Sequence, residues 1–158
     1  MADYFSHAYG EDYREVVAFL EKMTECFDHK YFAAENSADE KVGKYYNPAM
    51  AEKLRAAKKA IAEFAPFVEA HKNMPKRAQT VSYRILRRYL EYLMGLADIA
   101  ILRSMGAGKE ARELYNKFML DFGKFEIELE RYFDICIFGK AIEWRFLKKD
   151  EEPVNLGV

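Results

Sequence analysis

The sequence predicts an all-α protein: an irregular helical bundle of about five to six helices with a long central antiparallel hairpin. Three observations predict it. Apolar residues recur at three- and four-residue steps over long stretches, which lines up one face of a helix. No stretch alternates apolar and polar residues between turn signals, as paired strands do. A short Gly turn at 106–108 joins the two longest periodic stretches. At 158 residues the chain is expected to form a single helical domain, 1–158. A domain of that size buries roughly 68–70% of its unfolded surface, so its core needs no disulfide or metal staple.

The first helix is expected over 2–9 and brings Tyr4, Phe5 and Tyr9 together, with Gly10 as a left-handed C-terminal cap. A domain built to stand alone rarely opens on so much apolar surface, because free termini fray. The opening therefore reads as a helix already packed where the chain enters it, and the chain as a module of a larger protein. A second helix follows over 11–32, with Asp12 as its cap and Glu15 three residues on, as in a capping box. Val16, Leu20, Met23, Phe27 and Tyr31 form its apolar line.

Residues 33–47 are small and polar and carry no period, so they form a loop. Asn47-Pro48 restarts a helix, with Asn at the cap and Pro at the first helical position. Its inner stripe is Met50, Leu54, Ala57, Ile61, Phe64 and Val68. Pro66 removes a backbone donor and crowds the preceding turn, so a kink or break is expected near Phe64. Asn73-Met74-Pro75 ends the unit.

The fourth helix, 76–105, carries two adjacent stripes. One is Leu86, Leu90, Leu93, Ala97 and Ile101; the other is Ile85, Tyr89, Tyr92, Leu96 and Ile99. A stripe that wide predicts burial on two sides and a central position. Gly106-Ala107-Gly108 reverses the chain. The fifth helix, 109–134, follows with an apolar seam from Ala111 through Leu114, Phe118, Phe122, Phe125, Leu129 and Tyr132 to Cys136. A short Gly turn between two long helices predicts an antiparallel hairpin. Gly139 breaks the pattern, and a last short helix over 141–148 presents Ile142, Trp144 and Phe146. There is no internal repeat of fixed period.

Composition narrows the function classes. Hydrophobic residues make up 51% and charged residues 32%, a foldable rather than a disordered balance. The net charge of −1 gives no long-range field toward nucleic acid or an anionic membrane. The basic cluster Arg84-x-x-Arg87-Arg88, flanked by Tyr83 and Tyr89, reads as a solvated helix face. No apolar run approaches the length of a membrane-spanning helix. The N-terminus lacks the basic-then-apolar order of a signal peptide. The compartment stays undetermined, with the cytoplasm favoured.

The chemistry-bearing residues are sparse. His7, His29 and His71 lie in separate segments and no Glu-x-x-His pair exists, so no metal site and no cofactor are expected. His29 and His71 fall near helix C-termini, where partial positive charge is favoured. Cys26 and Cys136 read as small buried hydrophobes; Cys26 with His29 at i, i+3 is a weak candidate for an activated thiol. Gly106-x-Gly108-Lys109 lacks the full phosphate-loop spacing and a preceding strand. Glu126, Glu128 and Glu130 share one helix and belong in water, so they do not form a glycosidase pair across a cleft. Trp144 could stack on a sugar or close the end of the bundle. No catalytic residue is assigned. Candidate ligand or interface residues are Tyr4, Phe5, Tyr9, Tyr89, Tyr92 and Trp144.

Several of these runs together carry a family likeness. They are Tyr4-Phe5-x-x-Ala8-Tyr9-Gly10-Glu11-Asp12, Phe19-Leu20, Cys26-Phe27-Asp28, Arg87-x-Tyr89-x-x-Tyr92 and Phe125-Glu126-Ile127-Glu128. The chain resembles the helical C-terminal part of large bacterial proteins whose preceding domain looks like the barrel of hexosaminidases and α-glucuronidases. The resemblance implies that the catalytic acids belong to that barrel and that an upstream barrel domain of the same polypeptide is the partner. The expected function is then a non-catalytic helical accessory module of a carbohydrate-active, glycoside hydrolase-like protein. The alternative is a free-standing helical interaction domain that forms a homodimer through an aromatic face. A third reading, a small helical enzyme or ligand-binding bundle with an internal pocket, would call for a pocket lined by Tyr89, Tyr92 and Glu126.

Overall fold

A computed structural model describes residues 2–137 together with Gly139, Lys140 and Leu147. Among the described residues every regular element is helical and there is no strand, so the all-α class holds. The elements are α1 (Ala2–Tyr9), α2 (Tyr13–Cys26), α3 (His29–Phe32), α4 (Pro48–Ala70), α5 (Arg77–Ser104) and α6 (Gly108–Phe122). A 3-10 turn (Gly123–Phe125) and the short α7 (Glu126–Leu129) follow. The chain divides into two compact units. The first comprises Met1–Asp28 and Glu52–Ala97, the second His29–Ala51 and Asp98–Val158.

In the first unit, the glycine cap read from sequence operates as local chemistry. The Gly10 N–H donates to the Ser6 carbonyl at 2.9 Å with Gly10 at φ +79°, a left-handed cap that only glycine adopts freely. Val16, Phe19 and Met23 of α2 are buried, and Phe19 stacks on Phe64 of α4 at 4.2 Å with ring planes 7° apart. Leu54, Ala57, Ile61 and Val68 of α4 are all at 2% exposure or less, so the predicted stripe is the core face. Pro66 lies within α4 without breaking it. Both Pro66 and Ala62, whose carbonyl the proline leaves without its helical donor, are exposed, and water can take the freed carbonyl. On α5, Tyr83, Leu86, Leu90, Tyr92, Leu93, Leu96 and Ala97 are buried, which is the wide stripe expected of a central helix.

The second helix is shorter than its apolar line. It stops at Cys26, and Phe27 and Asp28 carry the chain to α3 in the second unit. The reason is tertiary: Tyr31 is 1% exposed, its hydroxyl donates to the Ala100 carbonyl at 3.3 Å, and its ring meets Tyr45 edge-on at 5.9 Å. The α3 end is a left-handed cap made without glycine. Ala34 sits at φ +60°, the Glu35 N–H donates to the Lys30 carbonyl and the Ala34 N–H to the Tyr31 carbonyl, both at 2.9 Å. An alanine there carries the steric cost of the left-handed region.

Asn47 caps α4 as read from sequence. Its side-chain oxygen accepts the Met50 N–H at 3.1 Å, and its own N–H donates to the Ser104 carbonyl at 2.9 Å. At the end of α5, Gly106 at φ +84° donates to Arg103, and the Ala107 N–H reaches the Leu102 carbonyl at 2.9 Å, a complete Schellman cap. The fifth helix is again shorter than its seam: α6 ends at Phe122 and the chain tightens through Gly123. Glycine is among the least favourable helix-interior residues, and beyond it the seam is only partly kept: Leu129 is buried at 3% exposure, but Tyr132 is 58% exposed and Cys136 is exposed. Gly139 is helical and buried rather than a break. Its carbonyl accepts the Tyr115 hydroxyl at 2.7 Å, which holds it against α6 with the flexible end of Met119 beside it. Ile142, Trp144 and Phe146 lie outside the described residues.

Candidate functional site

The residues that opened the sequence form a connected ladder in the first unit. On α1, Tyr4 meets Phe5 edge-on at 5.6 Å and Phe5 stacks on Tyr9 at 6.1 Å. Tyr9 then meets Tyr83 of α5 edge-on at 5.3 Å. The Tyr83 hydroxyl donates to the Tyr9 carbonyl at 3.1 Å, which ties the C-terminal end of α1 to the core. Gly10 allows the next step of the chain to pass close to α5, since a Cβ there would lie 3.3 Å from Gln79 Nε2. Exposure rises outward along the ladder. Tyr83 is fully buried, Tyr9 and Phe5 are half-buried, and Tyr4 is 72% exposed. Burial pushes the Tyr9 hydroxyl above the ordinary phenol range, with Tyr4 adding to it. Burial, with Asp12 and Tyr9 nearby, pushes Tyr83 up to about 12.

The base of the ladder holds a histidine. His71, just past α4, packs against Phe67 at 4.3 Å and against the Tyr83 ring at 4.8 Å, the latter nearly parallel at 22°. Its Nδ1 is 2.7 Å from the Phe67 carbonyl and its Nε2 is 3.0 Å from Asp12 Oδ2. Asp12 was expected to cap α2 with its side chain. It occupies the N-cap position but makes no side-chain cap bond, because its carboxylate is turned to His71. A carboxylate–histidine pair is also the orienting half of a nucleophile's base. Here the other ring nitrogen faces the Phe67 carbonyl, so neither nitrogen faces a place where a substrate could sit.

The remaining candidates separate. Tyr92 is buried at 6% exposure while Tyr89, on the same helix, is 37% exposed, so of the two it is Tyr89 that meets solvent. Trp144 lies outside the described residues. The basic cluster is largely neutralised. Arg87 pairs with Glu69 at 3.4 Å and Glu91 at 3.6 Å, Arg88 pairs with Glu91 at 2.8 Å, and the neighbouring Tyr83 ring is buried. His29 lies three residues past the end of α2 and opens the short α3. With α2 ending at Cys26, the pair no longer sits on one helix face. Burial pushes the Cys26 thiol up, opposite to what an activated thiol needs. Neither cysteine is a fully buried hydrophobe, since Cys26 is half-buried and Cys136 exposed.

One grouping in the second unit was not legible from spacing. Ligand atoms of Glu126, Asp134 and Cys136 lie within 4.8 Å of one another. Glu126 Oε2 is buried without a hydrogen-bond partner, so Glu126 is not the freely solvated carboxylate expected from its neighbours on the helix. The grouping depends on α6 ending early, which no residue in the group signals. Two carboxylates and a thiol could take a divalent transition ion. Three side chains, however, fall one short of a closed structural zinc site, and Asp134 Oδ1 already accepts the Ile137 N–H at 2.7 Å. Among the described residues no helix is long and apolar enough to cross a membrane.

Comparison with protein-family models, with curated proteins and with solved structures returns no match.

Proposed function

We propose that this chain is a non-catalytic helical accessory module that docks through α1 onto the catalytic barrel of a carbohydrate-active, glycoside hydrolase-like protein. The observation that carries docking is the aromatic ladder: its inner end is hydrogen-bonded into the core, and its outer end leaves Tyr4 72% exposed. A large ring held in place by a rigid row of rings loses little entropy when a partner covers it, which is what an anchor residue requires. The barrel as the partner rests on the family resemblance of the opening run. The Asp12–His71 pair has both ring nitrogens engaged, which favours a structural over a catalytic role.

A photo-crosslinking residue in place of Tyr4 tests the proposal in cells of the source organism. Peptides from a glycosidase-like barrel joined at that position are the expected product. Crosslinks between two copies of this chain, matched by a dimer in sedimentation, would replace the barrel with self-association. Absence of any crosslink at Tyr4 would remove docking through α1.

A further inference from the structure

We infer that Asp12 and His71 form a proton-operated latch that holds the α1–α2 elbow against α4 and α5 when His71 is charged and loosens it when His71 is neutral. The inference concerns regulation of the α1 face and rests on the docking role proposed for it. It follows from donor counting. Both ring nitrogens of His71 face groups that only accept: the Phe67 carbonyl at 2.7 Å and the ionised Asp12 carboxylate at 3.0 Å. A neutral imidazole has one N–H and can satisfy one of them; the imidazolium has two and satisfies both. Phe67 and Tyr83 both pack against the imidazole, at 4.3 Å and 4.8 Å, and aromatic rings so close favour the cation.

The groups facing His71 come from three elements. Asp12 stands at the start of α2, Tyr83 on α5 also meets Tyr9 of α1 edge-on, and α4 supplies Phe67. The nearby charges Glu69 and Lys72 pair with each other, and Arg87 also reaches Glu69. When the ring loses a proton, the contact with Phe67 is the one retained, because it closes a four-residue loop on the same helix end. The contact with Asp12 spans 59 positions in the chain and is given up. Asp12 lies two residues past Gly10, so its release frees the elbow that sets the angle of α1. His71 is also the ring on which Tyr83 stacks, and Tyr83 holds the Tyr9 carbonyl.

Hydrogen exchange of the Gly10 amide reads this directly, since that N–H is bonded to the Ser6 carbonyl at the end of α1. Rates are divided by the intrinsic rate at each pH. Protection at Gly10 should fall by about threefold to fivefold from pH 5.5 to pH 8, as befits a partly exposed charge pair. Asp12→Asn and His71→Gln should each flatten the profile, Asn keeping the volume of Asp and Gln holding a charge-independent donor. A flat profile in the unmodified chain, or a pH-dependent one surviving in Asp12→Asn, overturns the latch. The measurement needs no partner. A latch present without crosslinks at Tyr4 removes docking alone, and crosslinks with a flat profile remove the latch alone.

Discussion

Tyr83→Phe isolates the group on which α1 is fastened, and its effect should change with pH. At neutral pH the substitution removes one hydroxyl from a fully buried ring and leaves the Tyr9 carbonyl without that donor. Losing one partner of a buried hydrogen bond costs about 1–2 kcal/mol. For a chain of this size that lowers the melting temperature by about 2–8 °C. The wild-type phenol brings its own alkaline liability. Its ionisation is pushed from 10 up to about 12, chiefly by burial. Between those values the folded chain keeps a proton that the unfolded chain has released, so stability is full below pH 10 and falls as pH rises toward 12. Solvent screening of a part-buried hydroxyl keeps the loss below the full difference between the two ionisation points. Phe cannot ionise and is spared that loss. Urea titrations followed by circular dichroism at pH 7, 9 and 11.5 should therefore show wild type ahead at neutral pH and the two chains converging or crossing near pH 11.5. Tyr31, whose hydroxyl burial also pushes up, is present in both chains and cancels in the difference. A gap that stays constant across this range would refute burial of the Tyr83 hydroxyl as the source of the effect.

Two further outcomes follow from burial. Leu93→Ala and Phe122→Ala, both at 4% exposure, should each lose about 2–5 kcal/mol in chemical denaturation, and a loss below about half a kilocalorie would mean these faces are not core. Cys136, exposed, should react with Ellman's reagent in the native chain well before Cys26, whose thiol is half-buried and pushed up by burial. Cys136→Ser should remove the fast phase and leave the slow one.

Where each helix starts or stops through its own residues, the sequence by itself determined the outcome. Gly10 and Gly106 adopt the left-handed caps that glycine permits, and Asn47-Pro48 caps and opens α4. The α4 stripe and the wide α5 stripe are buried as their spacing requires, because helical periodicity is a property of neighbouring residues. The outer aromatic of α1 was legible for the same reason. Tertiary structure alone decided where distant groups compete for the chain. The apolar line of α2 runs unbroken to Tyr31, yet the helix stops at Cys26 because Tyr31 is buried against Tyr45 and Ala100 in the other unit. Asp12 has the residue type and position of a side-chain cap, but a histidine 59 positions away takes its carboxylate. Glu126, Asp134 and Cys136 share no spacing signal, and the end of α6 at Phe122 brings them together. Short-range preferences are worth about a kilocalorie each, so a single buried ring or charged hydrogen bond from elsewhere in the fold is enough to override them.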